Sequence, residues 1–281
     1  QITYNSLRDY VQRLRRAITT PSQRFSAIGV KTQHFDGSTD YQQLNANILQ
    51  IENEFYSPIR PKRVAKNGET PTQALERAGV EYIEVRALDV NPFSPVGITA
   101  EQIRMLDLVL LYCLLTDSPT LDWDQQLITE RNFTKVVLDG RNPRLTLNQD
   151  GYERPIADWL EEIFADLQQI AKFLDGDSGS AYQQTVNEHY PMVLNPELTL
   201  SGQLLRILRD ENLDNSHLGM RLAQNYRAEL KQPLRYFSEA DFVAWRDASI
   251  EEQQQREQQD AGSSFDAYLE AYFAKAAKAG A

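Results

Sequence analysis

The chain has 281 residues, a formal net charge of −11 and an apolar fraction of 41%, enough for one large or two modest domains with a buried core. Such acidity disfavours nonspecific binding to nucleic acid or anionic membranes, because both depend on basic patches that release counterions. The single cysteine, Cys113, excludes an internal disulfide and a cysteine-based zinc site; in an apolar helical run it reads as an inert core thiol.

Other familiar chemistries are missing as well. His34, His189 and His217 form no ligand spacing, and there is no Gly-rich phosphate loop, HExxH or GxSxG. The apolar run from Met105 to Leu115 is interrupted by Asp107 and too short to span a bilayer. The sequence opens on Gln1, not Met, and neither a secretory signal nor a transit peptide is expected in the opening residues. A soluble protein is the expectation.

In chain order, Tyr4, Leu7, Tyr10, Val11, Leu14 and Ile18 fall at helical spacing, predicting an amphipathic helix over 3–18. Arg8, Arg13, Arg15 and Arg16 read as its solvated outer face. A weak strand is predicted over 25–35 and a turn over 34–40. The run 44–63 is predicted to contain a strand ending at Pro58, with Leu49, Ile51 and Phe55 on one face and Gln50, Glu52, Glu54 and Tyr56 on the other. Beyond it Arg60, Lys62 and Arg63 are carried on a backbone stiffened by Pro58 and Pro61. Cations fixed in advance lose less entropy when a ligand arrives; a solvent-exposed basic corner is the alternative.

A short helix is predicted over 70–78, with Pro71 at its first position and Gly79 as its stop. The next strand, over 80–88, points Ile83, Val85 and Ala87 one way and Tyr82, Glu84, Arg86 and Leu88 the other. Glu84 and Arg86 stand about 7 Å apart along one face. Charges in so apolar a strand suggest a ligand or a metal, although an ordinary half-exposed sheet face gives the same pattern.

The rest reads as helical. A capping box at Thr99 and Gln102 launches a helix apolar nearly all round, hence buried. Extended segments at 133–138 and 144–147 are expected to flank a small turn. Pro155 opens a long helix with Trp159, Leu160, Ile163, Phe164 and Leu167 on one stripe, and the turn-rich 175–180 closes it. Further helices follow near 180–189, 201–210 and 218–230, and from Ser238. The stretch 238–270 is strongly acidic and reads as a solvated face. The last stripe, Phe265, Tyr268, Leu269, Tyr272 and Phe273, reads as core packing.

QIENEFYSPIRPKR at 50–63 and EYIEVRALDVNPFSP at 81–95, with GETPTQAL between them and LDGRNPRLTL at 138–147, resemble the glutamate–cysteine ligase family of proteobacterial type. The likeness runs through essentially the whole chain and corresponds to the C-terminal half of such enzymes, which implies a fragment. It further implies an α+β fold: part of a mostly antiparallel curved sheet of the glutamine synthetase-like superfamily, its polar face forming the site and its apolar face packed on a largely helical C-terminal region. Residues 1–98 would supply the sheet and 99–281 the helices.

The implied activity is ATP-dependent ligation of the glutamate γ-carboxylate to the cysteine amine through a γ-glutamyl phosphate, the first step of glutathione biosynthesis. ATP and magnesium would be required, in a cytoplasmic enzyme that is monomeric when full length and has no nucleic-acid or membrane partner. By the same resemblance Glu84 matches a metal-ligating glutamate. Arg86 matches the catalytic and substrate-binding arginine on the transferred phosphoryl group, and Tyr56 a tyrosine that holds the cysteine substrate. For Glu52, Glu54, Arg60 and Arg63 a nucleotide-phosphate neighbourhood and a structural ion-pair network remain open. The other metal carboxylates would lie outside this chain, so the isolated fragment is expected to be inactive. Rival readings are another carboxylate–amine ligase of the same superfamily, or a non-catalytic helical interaction module.

Overall fold

A computed structural model of the chain describes residues 2–66, 68–231, 236–262 and 264–278. Its contacts divide it into two compact units, Gln1–Leu88 with Leu234–Ala281 and Asp89–Pro233.

In the first unit, helix α1 (Leu7–Thr19) starts where the Ser6 side chain accepts from the Asp9 N–H, a standard way to satisfy a free helix-end donor. Its predicted stripe is buried at Tyr10, Val11, Leu14 and Ile18. Leu75, with Leu49 and Phe55, packs against it. Arg15 is not on the outer face. Four residues after Val11 it flanks the stripe, is buried, and sets both terminal guanidinium nitrogens 2.5 Å from the Glu76 carboxylate.

The strand expected over 25–35 is mostly helix α2 (Gln23–Ile28), capped by Ser22 and stopped by Gly29. Only β1 (Lys31–Gln33) is extended, and it pairs antiparallel with β2 (Thr39–Tyr41) across the predicted turn. The strand expected before Pro58 is absent. Residues there are held by side chains: Gln50 Oε1 accepts from the Leu44 N–H at 2.5 Å, and Asn45 Nδ2 donates to the Gln50 carbonyl at 2.9 Å. A single 3-10 turn follows at Glu52–Glu54. Polar side chains that bond the local backbone compete with a strand ladder, so β3 (Ile59–Lys62) starts after Pro58.

Helix α3 (Pro71–Ala78) forms as predicted, with a reciprocal Thr70–Gln73 capping box, Pro71 in the first turn and Gly79 at φ 75°. It leads to β4 (Tyr82–Val85), antiparallel to β3, with Arg60 opposite Glu84 and Lys62 opposite Tyr82. Directly opposed residues share a face. Arg60, Lys62, Tyr82 and Glu84 therefore line one side and Ile59, Pro61, Ile83 and Val85 the other. The expected dry face is not dry: Ile59 and Ile83 are 45% and 50% exposed, while on the charged face Arg60 is 3% and Tyr82 48% exposed.

In the second unit, α4 (Ala100–Leu115) starts at the predicted Thr99–Gln102 capping box. Its Leu108 packs with Leu167, Ala171 and Val186, but it is not buried all round: Ile103, Leu114 and Leu115 are exposed, and so is Cys113, which is no core thiol. Helix α5 (Trp123–Asp139) begins at an Asp122–Gln125 capping box and absorbs the segment expected to be extended at 133–138. The chain turns at Asp150 and Gly151, both at positive φ as a two-residue hairpin requires, between β5 (Thr146–Gln149) and β6 (Tyr152–Pro155). At the Asp-Gly pair 139–140, Gly140 stays helical.

Helix α6 (Ile156–Asp175) follows at once and buries Leu167 and Ala171. The Asp175 carboxylate then accepts from the Tyr182 and Gln183 N–H groups at the start of α7 (Ala181–His189). Helices α8 (Pro191–Leu194), α9 (Leu200–Asp210) and α10 (Asn215–Glu229) complete this unit.

The chain returns to the first unit with α11 (Glu239–Asp260), which buries no residue, and α12 (Phe265–Lys278). Leu269 is buried, whereas Phe265 and Tyr268 are exposed, so the terminal stripe is core only in part. Lys31 Nζ lies 2.7 Å from Asp266 and the Tyr41 and Phe265 rings meet edge-on at 5.3 Å. These contacts group the C-terminal helices with residues 1–88. The described residues thus form a helix-rich chain with three small antiparallel pairs, and no helix among them is long and apolar enough to cross a membrane.

Candidate active-site ribbon

The β3–β4 ribbon brings together the two residues whose sequence parity pointed to a shared face. Glu84 Oε1 accepts from Arg86 Nη2 at 2.9 Å. Glu84 Oε2 lies 3.2 Å from Lys62 Nζ, without hydrogen-bond alignment, and this buried oxygen has no hydrogen-bond donor among the described residues. The Arg86 guanidinium stands 5.4 Å from the centre of the Tyr56 ring, a cation–π distance, and Tyr56 itself is exposed. The Arg86 hydrogen bond pulls the Glu84 carboxyl below its ordinary value; partial burial opposes it and Lys62 adds to the pull. Glu84 in turn raises Arg86.

The four other sequence candidates separate from this pair. Glu52 is fully buried, accepting from Thr72 Oγ1 at 2.5 Å and the Thr72 N–H at 2.7 Å. It neutralises the N-terminus of α3, where free N–H groups and the helix dipole favour an anion. Both its oxygens are engaged by Thr72. Arg60 donates to the Glu52 carbonyl at 3.3 Å and lies 5.6 Å from the Phe55 ring centre; it is a buried strut. Burial pushes up the phenol of neighbouring Tyr10 against the pull of Arg60. Exposed Glu54 accepts from the Gln50 N–H at 2.5 Å, and Arg63 donates to the Gly79 carbonyl at 2.5 Å while facing Glu81 at 3.6 Å. Of the four, only Arg63 makes an ion pair among the described residues; Glu52, Glu54 and Arg60 are held by hydrogen bonds to Thr72 and to backbone.

Lys62, read from the sequence as one of three fixed cations but given no site role of its own, faces Glu84. Parity could have found it: with the strand starting after Pro58, Lys62 shares a face with Arg60, and antiparallel pairing sets that face against Glu84. One carboxylate between two cations leaves net positive charge, suited to a polyanion. Glu84 Oε2, a carboxylate oxygen with no hydrogen bond, also suits a hard divalent cation, which prefers oxygen ligands and often takes few from the protein. No group of three or more His, Cys, Asp or Glu able to hold a metal occurs among the described residues.

The family model for glutamate–cysteine ligase matches residues 1–136. The chain is 48% identical to the glutamate–cysteine ligase of Shewanella oneidensis over 97% of its own length and 51% of that relative's. To the enzyme of the same name from Yersinia pseudotuberculosis it is 44% identical, over 95% and 51%. A crystal structure of glutamate–cysteine ligase from Francisella tularensis in complex with AMP superposes with a TM-score of 0.84 at 31% identity, covering 97% of this chain and 53% of that one. The chain is homologous to the proteobacterial glutamate–cysteine ligases and spans about half the length of the curated relatives it matches.

Proposed function

We propose that this chain is a fragment of a glutamate–cysteine ligase and carries part of the phosphoryl-transfer side of its site. What supports the reading is the Glu84–Arg86 pair, in contact at 2.9 Å on one face of β3–β4, in a chain homologous to these ligases. Carboxylates are poor electrophiles. The glutamate γ-carboxylate attacks the γ-phosphorus of ATP and expels ADP, and the cysteine amine then displaces phosphate from the resulting γ-glutamyl phosphate.

Such transfer asks a protein mainly for positioning and for neutralising charge on the phosphate oxygens. Arg86, with five N–H donors in a planar fork, can keep its bond to Glu84 while presenting others to the transferred phosphoryl group. Glu84 Oε2 would hold magnesium, which when bound neutralises charge along the phosphates. Tyr56, exposed beside Arg86, offers its hydroxyl to the cysteine substrate. Residues 1–98 contribute part of a curved antiparallel sheet of the glutamine synthetase-like superfamily and 99–281 the helical region. The full-length enzyme is cytoplasmic and monomeric.

The isolated chain supplies one carboxylate to the metal, so it is expected to show no release of ADP with glutamate, cysteine and Mg-ATP. Robust turnover by the isolated chain would overturn these residue roles.

A further inference from the structure

The corner between Pro58 and Arg63 carries three cations, and the structure separates them. Arg60 is buried, bonded to the Glu52 carbonyl and covered by Phe55; its Nε, without a hydrogen-bond partner among the described residues, is enclosed and out of a ligand's reach. Arg63 closes the ribbon end through the Gly79 carbonyl and Glu81. Lys62 is different: its ammonium has three N–H donors, its ion-pair partner among the described residues is Glu84 at 3.2 Å, and that contact is not aligned as a hydrogen bond. The side chain is only 21% exposed, and the strand between Pro58 and Pro61 fixes its origin. It therefore loses less freedom on meeting a ligand than a surface lysine does. Arg86 reaches the same carboxylate from the other oxygen.

We propose that Lys62 is the phosphate-binding cation of this corner, contacting the polyphosphate chain of a nucleoside triphosphate beside Arg86, whereas Arg60 and Arg63 serve the fold. The assignment rests on the functional reading above and adds to it a residue that holds phosphate oxygens from the β3 side of Glu84.

The test is titration of the purified chain with inorganic tripolyphosphate, with and without magnesium, followed by NMR amide shifts. The native chain is expected to bind saturably, and Lys62→Met to weaken binding about tenfold, the effect of losing one charge-assisted contact. Lys62→Arg should restore most of the affinity, and Arg63→Gln should change it less than about twofold. Circular dichroism confirms that each variant is folded. Absence of saturable binding by the native chain, or equal losses in Lys62→Met and Arg63→Gln, would overturn the assignment. If Arg86→Gln loses affinity and Lys62→Met does not, the Lys62 assignment alone falls. If Lys62→Met loses affinity and Arg86→Gln does not, the role given to Arg86 falls instead.

Discussion

The ribbon β3–β4 and the hairpin β5–β6 each pair four residues with four, but they are finished in different ways. The hairpin turns on Asp150-Gly151, and its outer edge is met by side chains: Asn132 Nδ2 donates to the Asn148 carbonyl at 2.7 Å while Asn132 Oδ1 accepts from the Asn148 N–H at 2.9 Å, and Lys135 Nζ donates to the Thr146 carbonyl at 3.2 Å. An amide stands in for a neighbouring strand, and Leu147 is buried beneath. The ribbon joins its strands through a whole helix, turns isoleucines to solvent and holds a charged face with one arginine buried in it. Its outer edges have no strand partner among the described residues, the situation that proteins elsewhere cover or pair. The hairpin is a structural closure; the ribbon's organisation serves its charges.

This contrast can be broken most strongly at Glu52, on which α3 and hence the return to β4 depend. Replacing Glu52 with Gln sets an amide against the Thr72 donors and is expected to lower stability by about 2 kcal/mol, the cost of leaving a buried donor poorly satisfied. Glu54→Gln, two residues on, should stay within about 0.5 kcal/mol. Thermal unfolding of both variants checks the pair.

On the hairpin side, Asn132→Ala removes the substitute strand and should cost about 1 kcal/mol. Faster hydrogen exchange at the Asn148 amide would localise the loss. Ile83→Thr, on the exposed face of the ribbon, should change stability by less than about 0.5 kcal/mol. A cost above about 2 kcal/mol would mean that this face is covered in the isolated chain.

The smallest expected effect is electrostatic and falls just before α3. Glu69 accepts from Arg77 at 2.7 and 3.0 Å and from the Lys66 N–H at 2.9 Å, and its carboxyl is held down to about 2. A folded-state value below the unfolded one gives stability that is complete above the unfolded value and is lost as pH falls toward the folded one. The Glu69 carboxyl carbon should titrate near pH 2, and Glu69→Gln should flatten the fall in stability between about pH 5 and about pH 2. A midpoint near 4.5, the ordinary value, would show that the pair does not form.

What could be read from the sequence was whatever local chemistry settles by itself. The Thr70–Pro71–Gly79 signals set α3, the Thr99–Gln102 box set the start of α4, and period-two parity set Glu84 beside Arg86. The alternation over 49–56 misled because Gln50, Glu52 and Glu54 spend their side chains on nearby backbone and on α3, not on a sheet face. Arg15 was misplaced because a long guanidinium on the edge of a stripe can turn inward when a carboxylate such as Glu76 waits there. The extended segment expected at 133–138 is helical because α5, started by the Asp122 cap, runs through it to Asp139. Which of the three cations at 60–63 faces Glu84 could not be read, because it depends on where β3 begins.

The most direct test of the Glu84–Arg86 assignment is ADP release that depends on both glutamate and cysteine, measured after co-expressing this chain with the part of the Shewanella oneidensis relative it does not cover. Turnover is expected with the native chain, a fall of about a hundredfold or more with Arg86→Gln, and a higher magnesium requirement with Glu84→Gln. Native rates in both variants would contradict the assignment.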